Sequence, residues 1–368
     1  MKIIHVILGK ANPNRMNGVN KVVYELASIQ TKQKYDTEVW GLSNSQNDDI
    51  KRPFSLKIFK RNKYCLSHEI ETTIKSLDIN NLIFHIHGAF IFDFYLITKL
   101  LVKNNIKYIY TSHGAFNKVA MNKNWLIKYF YFYCLEKFII KNATKIHLIA
   151  ESEYNHLNSL YKTNNKVLIP NGINIDGLEF KYEKIEKSKD LTLCFCGRID
   201  IKTKGLDLLI DGFEAFIKEG NSAMLWIIGD GDELNTLKSM VKDKKLEKNI
   251  KFFGARFGEE KLNLIANSDL FILTSRNDGF PTSVLEAAGI GVPLLVSKET
   301  NYGPYVEKFK CGLVLDKNNS KEISDSIKKF KSYSNNELIN MKENSKKMIM
   351  DSFNIEKISN LLLDEKGV

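Results

Sequence analysis

The sequence predicts an α/β protein built from two Rossmann-like, doubly wound parallel-sheet domains that face a central cleft. Three observations lead to this fold class. The chain has 368 residues, which is too long for a single hydrophobic core. Short β-prone runs alternate with stretches of helical period along most of the chain, which favours parallel strands joined by helices. A polar stretch rich in lysine and glutamate, 181–190, interrupts the alternation once, and we interpret it as a linker.

Thirteen short runs have the apolar, β-branched composition of buried strands and are followed by turn residues or by a helical pattern. Seven precede the linker and six follow it. The predicted strands are 2–8, 37–42, 56–61, 81–87, 107–111, 145–150, 167–170, 191–196, 223–228, 249–253, 269–274, 293–297 and 312–315.

Amphipathic periodicity predicts helices between these strands, and the tail 335–363 is typical of one or two closing helices. We predict domains over 1–180 and 191–354, with the terminal helix 355–368 packed back on the first domain. The clearest helical stretches are 19–30, 92–103, 205–218, 232–242 and 259–267.

The composition is that of an ordinary soluble protein, with 43% apolar and 26% charged residues. The first apolar run, 3–8, is too short for the core of a signal peptide, and no segment reaches the ~20 apolar residues of a membrane span. The five cysteines form no pair with metal-binding spacing, so we expect reduced and mostly buried thiols. We therefore expect a cytoplasmic protein.

The net charge of +11 is concentrated in the first half of the chain. Residues 1–172 carry 24 basic and 12 acidic side chains, whereas residues 173–368 carry 30 and 31. A general lysine bias is one explanation, but it would charge both halves. We therefore expect an anionic partner for the first half, either a polyanionic glycan or an anionic lipid surface. Nucleic acid is not expected, because no binding module is recognisable.

The most informative segment is TSRNDGFPTSVLEAAGIGVP, residues 274–293. A predicted strand ends in a polar turn with Asp278 and Gly279, and Pro281 then opens a short helix that carries Glu286. The free N–H groups of a first helical turn and the helix dipole favour an anion at such a turn. Two carboxylates eight residues apart cannot both bind a phosphate, so we expect them to bind hydroxyl groups beside it. The segment predicts a pocket for a diphosphate with a sugar on each side.

A second strand end supplies positive charge. The predicted strand 191–196 is followed by Gly197 and Arg198, and Lys204 comes just before the next helix. A guanidinium can hold a diphosphate in bidentate fashion, and an ammonium adds a second charge. Solvated cations in a loop are the simpler alternative.

The segment IIGDG after the strand 223–228 contains Gly229 and Gly231. It lacks the third glycine of a dinucleotide-binding fingerprint, so by itself it is a weak signal. We expect a turn at which the backbone approaches a base or a ribose. The chain has no P-loop, so a nucleotide kinase or an ATPase is not supported.

Candidate residues in the first domain also lie near strand ends. Asn17 and Gly18 follow a polar loop after the first strand, where backbone N–H groups could approach a sugar or a phosphate. His87 and His113 end two predicted strands, and ligands of open α/β sheets bind at such ends. Core histidines are the alternative for both positions. We expect no metal, because the histidines lack zinc-site spacing and no cysteine accompanies them.

Residues 122–145 interleave aromatic side chains with lysines. An amphipathic helix of this composition can lie in the headgroup layer of a membrane. We predict Trp125, Lys128, Tyr129 and Phe132 as contacts with an anionic membrane surface, which would make the protein peripheral at the inner face of the cell membrane. A core helix whose lysines extend outward is the alternative.

Six stretches together make the chain similar to the retaining glycosyltransferases of family 4, which have the GT-B fold. They occur in the order of that family and span nearly the whole chain. This chain departs from the family pattern at Asp278. Members of the family usually have glutamate at this position, and its side chain is one methylene longer. The stretches are 17–19, 111–114, 168–174, 196–213, 227–234 and 269–293.

The resemblance implies transfer of a hexose or an N-acetylhexosamine from a nucleotide-diphosphate sugar, with uridine as the expected base, to a glycan or a lipid-linked glycan during surface polysaccharide synthesis. It implies no metal ion and no cofactor. Arg198 and Lys204 would hold the diphosphate, Glu286 the ribose hydroxyls and Asp278 the sugar hydroxyls, while His113 would touch the sugar. From their positions at strand ends, we expect His87 and Asn17 to face the acceptor. The expected donor-binding residues are Gly18, Gly197, Arg198, Lys204, Gly229, Gly231, Asp278, Gly279, Phe280, Pro281, Thr282 and Glu286.

Two other functions are compatible with the same scaffold. A nucleotide-sugar epimerase or hydrolase would process the donor without an acceptor. A non-catalytic binding subunit would be expected to lose charge at the four positions Arg198, Lys204, Asp278 and Glu286, all of which are charged here.

Overall fold

The structure, a computed structural model, describes residues 1–14, 18–45, 47–48, 50–62, 65–178, 182–185 and 190–364. Over these residues the chain divides into two compact units. Met1–Gly172 and Ile355–Val368 form the first unit, and Ile173–Asn354 forms the second. The boundary lies before the predicted linker 181–190, because Ile173 pairs with Asn354 in a parallel bridge.

The first unit contains a seven-stranded parallel sheet in the order β3-β2-β1-β4-β5-β6-β7. Its strands confirm the seven predicted runs, with ends shifted by at most two residues. They are β1 (Lys2–Leu8), β2 (Asp36–Leu42), β3 (Ser55–Phe59), β4 (Leu82–His87), β5 (Tyr108–Thr111), β6 (Lys145–Leu148) and β7 (Lys166–Leu168).

Helices connect most of these strands, as expected for parallel pairing. The exception is the connection from β2 to β3, which contains no helix among its described residues. A π-helical turn, Phe132–Glu136, and a 3-10 turn, Asp176–Leu178, complete the chain as far as the second sheet. The helices are α1 (Gly18–Lys32), α2 (His68–Ser76), α3 (Phe92–Lys103), α4 (Lys118–Asn122), α5 (Trp125–Tyr131), α6 (Lys137–Asn142) and α7 (Glu151–Leu160).

The second unit contains a six-stranded parallel sheet in the order β10-β9-β8-β11-β12-β13. The central strands are buried on both faces, which explains their continuous apolar sequences. The strands are β8 (Leu191–Cys196), β9 (Ala223–Ile228), β10 (Ile250–Gly254), β11 (Leu270–Leu273), β12 (Leu294–Ser297) and β13 (Gly312–Leu315).

In the part of the chain that the structure describes, nine further helices follow in chain order, together with a 3-10 turn at Lys298–Thr300. The tail forms two helices. The helices are α8 (Ile201–Lys204), α9 (Leu206–Lys218), α10 (Leu234–Asp243), α11 (Gly258–Ala266), α12 (Thr282–Gly289), α13 (Gly303–Phe309), α14 (Ser320–Lys331), α15 (Asn335–Ser352) and α16 (Ile355–Leu363).

The last helix belongs to the first unit. Ile355, Ile358 and Leu362 of α16 are buried against Leu26 and Ile29 of α1. Burial of these aliphatic side chains, at about 25 cal/mol per Å² of apolar area, offsets part of the cost of ordering the nine residues of α16. The helix α16 therefore packs on the unit that contains the start of the chain.

Candidate functional site

The predicted diphosphate-binding residues of the second unit lie at one edge of its sheet. Because all six strands are parallel, the loops that follow them open on the same edge. Gly197 and Arg198 directly follow β8, and Gly229 directly follows β9. Asp278 lies in the loop after β11. The fold thus collects residues from three separate loops at the position where ligands of such sheets bind.

Lys204 and Asp278 form an ion pair, although 74 positions separate them in the chain. The Nζ atom of Lys204 contacts Oδ2 of Asp278, and both side chains are largely shielded from solvent. Ser275 Oγ donates a second hydrogen bond, 3.2 Å long, to the same carboxylate oxygen. The structure therefore brings together a cation and an acid that the sequence assigned to the diphosphate and to the sugar.

Arg198 lies next to Asp200 rather than in this pair. Its Nη2 atom is 3.2 Å from Oδ2 of Asp200, and its side chain is 59% exposed. Asp200 also caps α8, because its Oδ1 accepts a hydrogen bond of 3.0 Å from the N–H of Thr203. One short helix thus connects Asp200, the partner of Arg198, to Lys204.

The turn before α12 is held by Asn301. Its Nδ2 atom donates hydrogen bonds to the carbonyls of Asp278 and Gly279, at 2.9 and 2.8 Å. Pro281 is the N-cap, so α12 begins at Thr282, one residue later than predicted. The N–H groups of a first helical turn lack the carbonyl partners of the helix interior and can bind an anion. Here the N–H of Val284 donates to the carbonyl of Pro281, at 3.2 Å.

The side chain of Phe280 is part of the core. It is buried, and its ring centroid lies 4.1 Å from that of Tyr302. Only the backbone of Phe280 can therefore contribute to a ligand site.

Glu286 is buried and lies beside a lysine that the sequence reasoning missed. Lys261 Nζ is 2.7 Å from Oε1 of Glu286. Lys261 lies on α11, where no local motif distinguishes it from the other lysines of the chain. Only the packing of α11 against α12 identifies it as a site residue.

Gly229 and Gly231 allow two loops to pack backbone against backbone. A Cβ atom at Gly229 would lie 1.9 Å from the carbonyl oxygen of Gly197, and one at Gly231 would lie 2.3 Å from that of Ile199. The close packing of the two loops is therefore enough to explain why these two positions need glycine, without any contact with a ligand. Contact of this turn with a base or a ribose stays a prediction.

Asn17, predicted to face the acceptor, lies outside the residues that the structure describes. Gly18 is the first residue of α1 and is exposed. A Cβ atom at Gly18 would meet none of the described atoms within 4 Å, so there is open space beside this helix start.

His87 is buried, with 2% of its surface exposed, so its prediction as an acceptor contact is wrong. The alternation of β4 turns its side chain towards the interior, where its Nδ1 atom is 3.0 Å from Nε2 of His113. His113 is partly exposed and has a positive φ of 54°, directly after β5. The first unit therefore presents His113, with His87 behind it.

Three more histidines lie in the same buried cluster. β1 pairs with β4 so that His5 is opposite His85, and β6 adds His147. Burial lowers the pKa of His5 to about 4, that of His113 to about 3 and that of His147 to about 4. It also lowers the pKa of His85 and of His87 well below the usual value. The cluster is therefore neutral at physiological pH.

Ring nitrogens of His5, His85 and His87 lie within 4.8 Å of one another, a spacing at which three imidazoles could hold a metal ion. They are hydrogen-bonded to protein groups instead: His5 to Gln30 and His87, and His85 to Thr111. Both ring nitrogens of His5 and of His87 are thus occupied by hydrogen bonds, which favours a hydrogen-bonded cluster over a metal site.

The aromatic segment 122–145 is not one helix. It comprises α5, the π-helical turn and α6, and then enters β6 at Lys145. Phe132 is fully buried among core aromatics, so its prediction as a membrane contact is wrong. Tyr129 packs partly against the same core, and Lys128 donates to the carbonyl of Ala120.

One face of the segment is nevertheless exposed and apolar. Trp125, Leu126, Ile127, Phe130 and Tyr133 each expose more than half of their surface. We call these five side chains the α5 patch. Among the residues that the structure describes, no helix combines the length and the apolar character needed to cross a bilayer.

Two family profiles match consecutive parts of the chain. The profile of glycosyltransferase family 4 matches residues 16–176, and that of the group 1 glycosyl transferases matches residues 178–348.

Relatives of known sequence match over most of the chain. An uncharacterized glycosyltransferase of Haemophilus influenzae is 24% identical over 361 residues, which are 94% of this chain and 95% of the relative. A UDP-Gal:alpha-D-GlcNAc-diphosphoundecaprenol alpha-1,3-galactosyltransferase of Escherichia coli is 26% identical over 275 residues, 70% of this chain and 68% of the relative.

Among solved structures, Anabaena HepE in complex with UDP matches with a TM-score of 0.76 and 14% identity, and 98% of each chain is covered. At this identity the match establishes the fold, and it confirms the GT-B architecture that the sequence predicted.

Proposed function

Because this chain belongs to the group 1, family 4 glycosyltransferases and is a glycosyl-transferring enzyme, we propose that it moves a hexose or an N-acetylhexosamine from a UDP-sugar to a glycan or a lipid-linked glycan, with retention of configuration. The observation that carries the proposal is the contact of Lys204 with Asp278 at the loop that leads into α12. It joins a diphosphate-binding cation, an acid suited to sugar hydroxyls and a helix start suited to an anion.

Both proposed diphosphate-binding cations are paired with carboxylates. Lys204 contacts Asp278, and Arg198 contacts Asp200. A diphosphate carries more charge than a carboxylate and offers more acceptor oxygens, so it competes well for an ammonium and a guanidinium. When the donor binds, Lys204 and Arg198 turn to the phosphates, and the carboxylate of Asp278 becomes available to sugar hydroxyls.

The reaction then needs no nucleophilic carboxylate. The bond between the anomeric carbon and the phosphate oxygen breaks, and the positive charges of Arg198 and Lys204 stabilise the negative charge that develops on the leaving diphosphate. The acceptor oxygen attacks the same face of the sugar. Its proton passes to the departing phosphate oxygen, which balances the charge and preserves the configuration.

The choice of UDP and of a lipid-linked acceptor is supported by what similar proteins bind. HepE was solved with UDP, and the Escherichia coli relative is named for UDP-galactose and a diphosphoundecaprenol-linked acceptor. The excess of basic residues in 1–172 suits an acceptor with a diphosphate at an anionic membrane.

We also propose that the protein binds peripherally to the inner face of the cell membrane through the α5 patch. Ile127 and Phe130 are 71% and 73% exposed, which is costly in water unless another surface covers them. Lys118, Lys123 and Lys137 lie on the adjoining helices and turn, and they suit an anionic lipid headgroup layer. A bilayer offers both the apolar and the anionic component.

Single alanine variants test the transferase proposal. Arg198→Ala and Lys204→Ala should each lower the rate of sugar transfer by ~10²-fold or more, the effect of losing one charge-stabilising group. Lys202→Ala is the matched control, because this exposed lysine lies two residues before Lys204 on α8. Transfer is measured with radiolabelled UDP-sugars after a thermal-shift screen has identified the donor. Unchanged rates in both site variants would refute the assignment.

The same assay separates the two alternatives. An epimerase or a hydrolase would consume the donor at full rate without an acceptor. A binding subunit would show a donor-dependent thermal shift without turnover.

A further inference from the structure

Four buried or partly buried side chains form one continuous line of hydrogen bonds from α1 to the end of β5. Gln30 Oε1 is 2.6 Å from Nε2 of His5, and His5 Nδ1 is 2.9 Å from Nε2 of His87. His87 Nδ1 is in turn 3.0 Å from Nε2 of His113. Each inner imidazole uses both of its nitrogens, so the four residues form a relay.

A neutral imidazole has one N–H donor and one lone pair, and this fixes the direction of the relay. The carbonyl oxygen of Gln30 can only accept, so His5 carries its proton on Nε2. His5 Nδ1 must then accept, which puts the proton of His87 on Nε2. By the same step His113 carries its proton on Nε2, and its Nδ1 keeps a lone pair.

We propose that Gln30, His5 and His87 are positioning residues that set the tautomer of His113 and hold its Nδ1 atom as a hydrogen-bond acceptor. The inference deepens the proposed function and rests on it for the identity of the ligand: an acceptor nitrogen at His113 selects a sugar that offers a hydroxyl at this point. A group that can only accept, such as a carbonyl oxygen, would leave both lone pairs facing each other.

The amide of Gln30 is the part of the relay that decides its direction. Gln30 Nε2 has no hydrogen-bond partner among the described residues, so the carbonyl oxygen is the only amide atom of Gln30 engaged with the relay. Without that oxygen nothing holds the proton of His5 on Nε2, so His5 can donate from Nδ1 to His87 instead. The relay would then reverse, and His113 would carry its proton on Nδ1.

A second line of hydrogen bonds has its direction fixed separately. His147 Nε2 donates to the carbonyl of Ile169, at 2.7 Å, so its Nδ1 accepts from Thr111 Oγ1 at 2.9 Å. Thr111 Oγ1 in turn accepts from His85 Nε2 at 2.6 Å. Among the described residues this line of hydrogen bonds reaches His85 and shares no hydrogen bond with the relay, so it provides an internal control.

Ring nitrogen chemical shifts of the full-length protein labelled with ¹⁵N-histidine test the inference. The chain has seven histidines, so its spectrum is small enough to assign by substitution. In the wild type we expect His5, His87 and His113 as Nε2–H tautomers. In Gln30→Met, which keeps the length of the side chain but removes the amide, we expect His113 to become the Nδ1–H tautomer, although Gln30 does not touch it.

The control is Thr111→Val. It should shift the signals of His85 and His147 and leave the tautomer of His113 unchanged. Identical His113 signals in Gln30→Met and in the wild type would overturn the inference, and so would a stoichiometric metal ion bound to the purified protein.

Kinetics provide the second readout. Gln30→Met should lower kcat/KM for the sugar donor about tenfold, the value of one hydrogen bond of about 1.4 kcal/mol. An unchanged kcat/KM with an altered tautomer would overturn the role of His113 as an acceptor of a donor-sugar hydroxyl. If the chain transfers no sugar at all, the proposed function fails, and the tautomer measurement still decides the relay.

Discussion

Because Gly229 has no Cβ atom, the loop that follows β9 can pack directly against the loop that carries Arg198. The loops after β8 and β9 touch at this residue, where a side chain would overlap the carbonyl of Gly197. The backbone of Gly229 also has a φ of +151°, which L-residues rarely adopt. Its replacement therefore affects stability and donor binding through the same contact.

We expect Gly229→Ala to destabilise the protein by at least about 3 kcal/mol, because strain and overlap add. Gly220→Ala is the matched control. Gly220 also has a positive φ, +84°, but nothing lies within 4 Å of an added Cβ, so only the strain of about 1 kcal/mol remains. Urea unfolding of the two variants measures the difference. Equal losses of stability in Gly229→Ala and Gly220→Ala would contradict this expectation, because they would show that the overlap at position 229 is relieved without cost.

At the scale of elements, α5 is a short helix that the core does not cover. Its neighbours differ: the π-helical turn buries Phe132 and Glu136, and α6 buries Ile139 and Ile140. The second half of the segment therefore packs into the core, and its first half, α5, is exposed to solvent. Phe132 was assigned to the wrong face because aromatic side chains lie on nearly all sides of this segment, so the sequence does not show which face the core covers.

We expect the protein to float with vesicles that contain phosphatidylglycerol, and to lose this when Ile127 and Phe130 are both replaced by glutamate. The change removes apolar contact and adds like charge at the membrane. Ile339→Glu is the control, since Ile339 is 52% exposed on α15 of the second unit. Sedimentation of the double variant with anionic vesicles as efficiently as the wild type would contradict the α5 patch, as would equal binding to neutral vesicles.

At the scale of the whole molecule, titratable groups are divided unequally between the two units. All seven histidines lie in the first unit, and burial lowers the pKa of five of them. Below a pH of about 6.5 the unfolded chain binds protons that the folded chain does not, so these histidines reduce stability as the pH falls from about 6.5 towards 4. Glu136 acts in the opposite sense, because burial raises its pKa to about 7.

We expect the first unit to lose more stability than the second as the pH falls from 6.5 to 5. Each buried histidine with a lowered pKa reduces the free energy of unfolding by about 2 kcal/mol over this interval. The second unit lacks histidine, and its paired carboxylates Asp207 and Glu214, whose pKa is lowered, lose their contribution only below a pH of about 4.5. Hydrogen exchange of each unit, corrected for the intrinsic rate, measures this. Equal losses in both units would contradict it.

Sequence reasoning reached the fold and much of the site because the relevant signals are local. Alternation of apolar runs with helical period is enough to identify thirteen strands, and turn glycines mark the strand ends at Gly197, Gly229 and Gly279. Each of these signals depends on residues that are close together in the chain. The family resemblance then assigned expected roles to Arg198 and Lys204.

The amino-acid sequence is therefore enough to predict the α/β architecture, its two parallel sheets and the family. The folded structure is needed to show which side chains meet: Lys204 with Asp278, Lys261 with Glu286, and His5 with His87. These contacts depend on strand order and register, for example on β1 lying next to β4 with His5 opposite His85. Order and register result from the packing of the whole core, so no local pattern contains them.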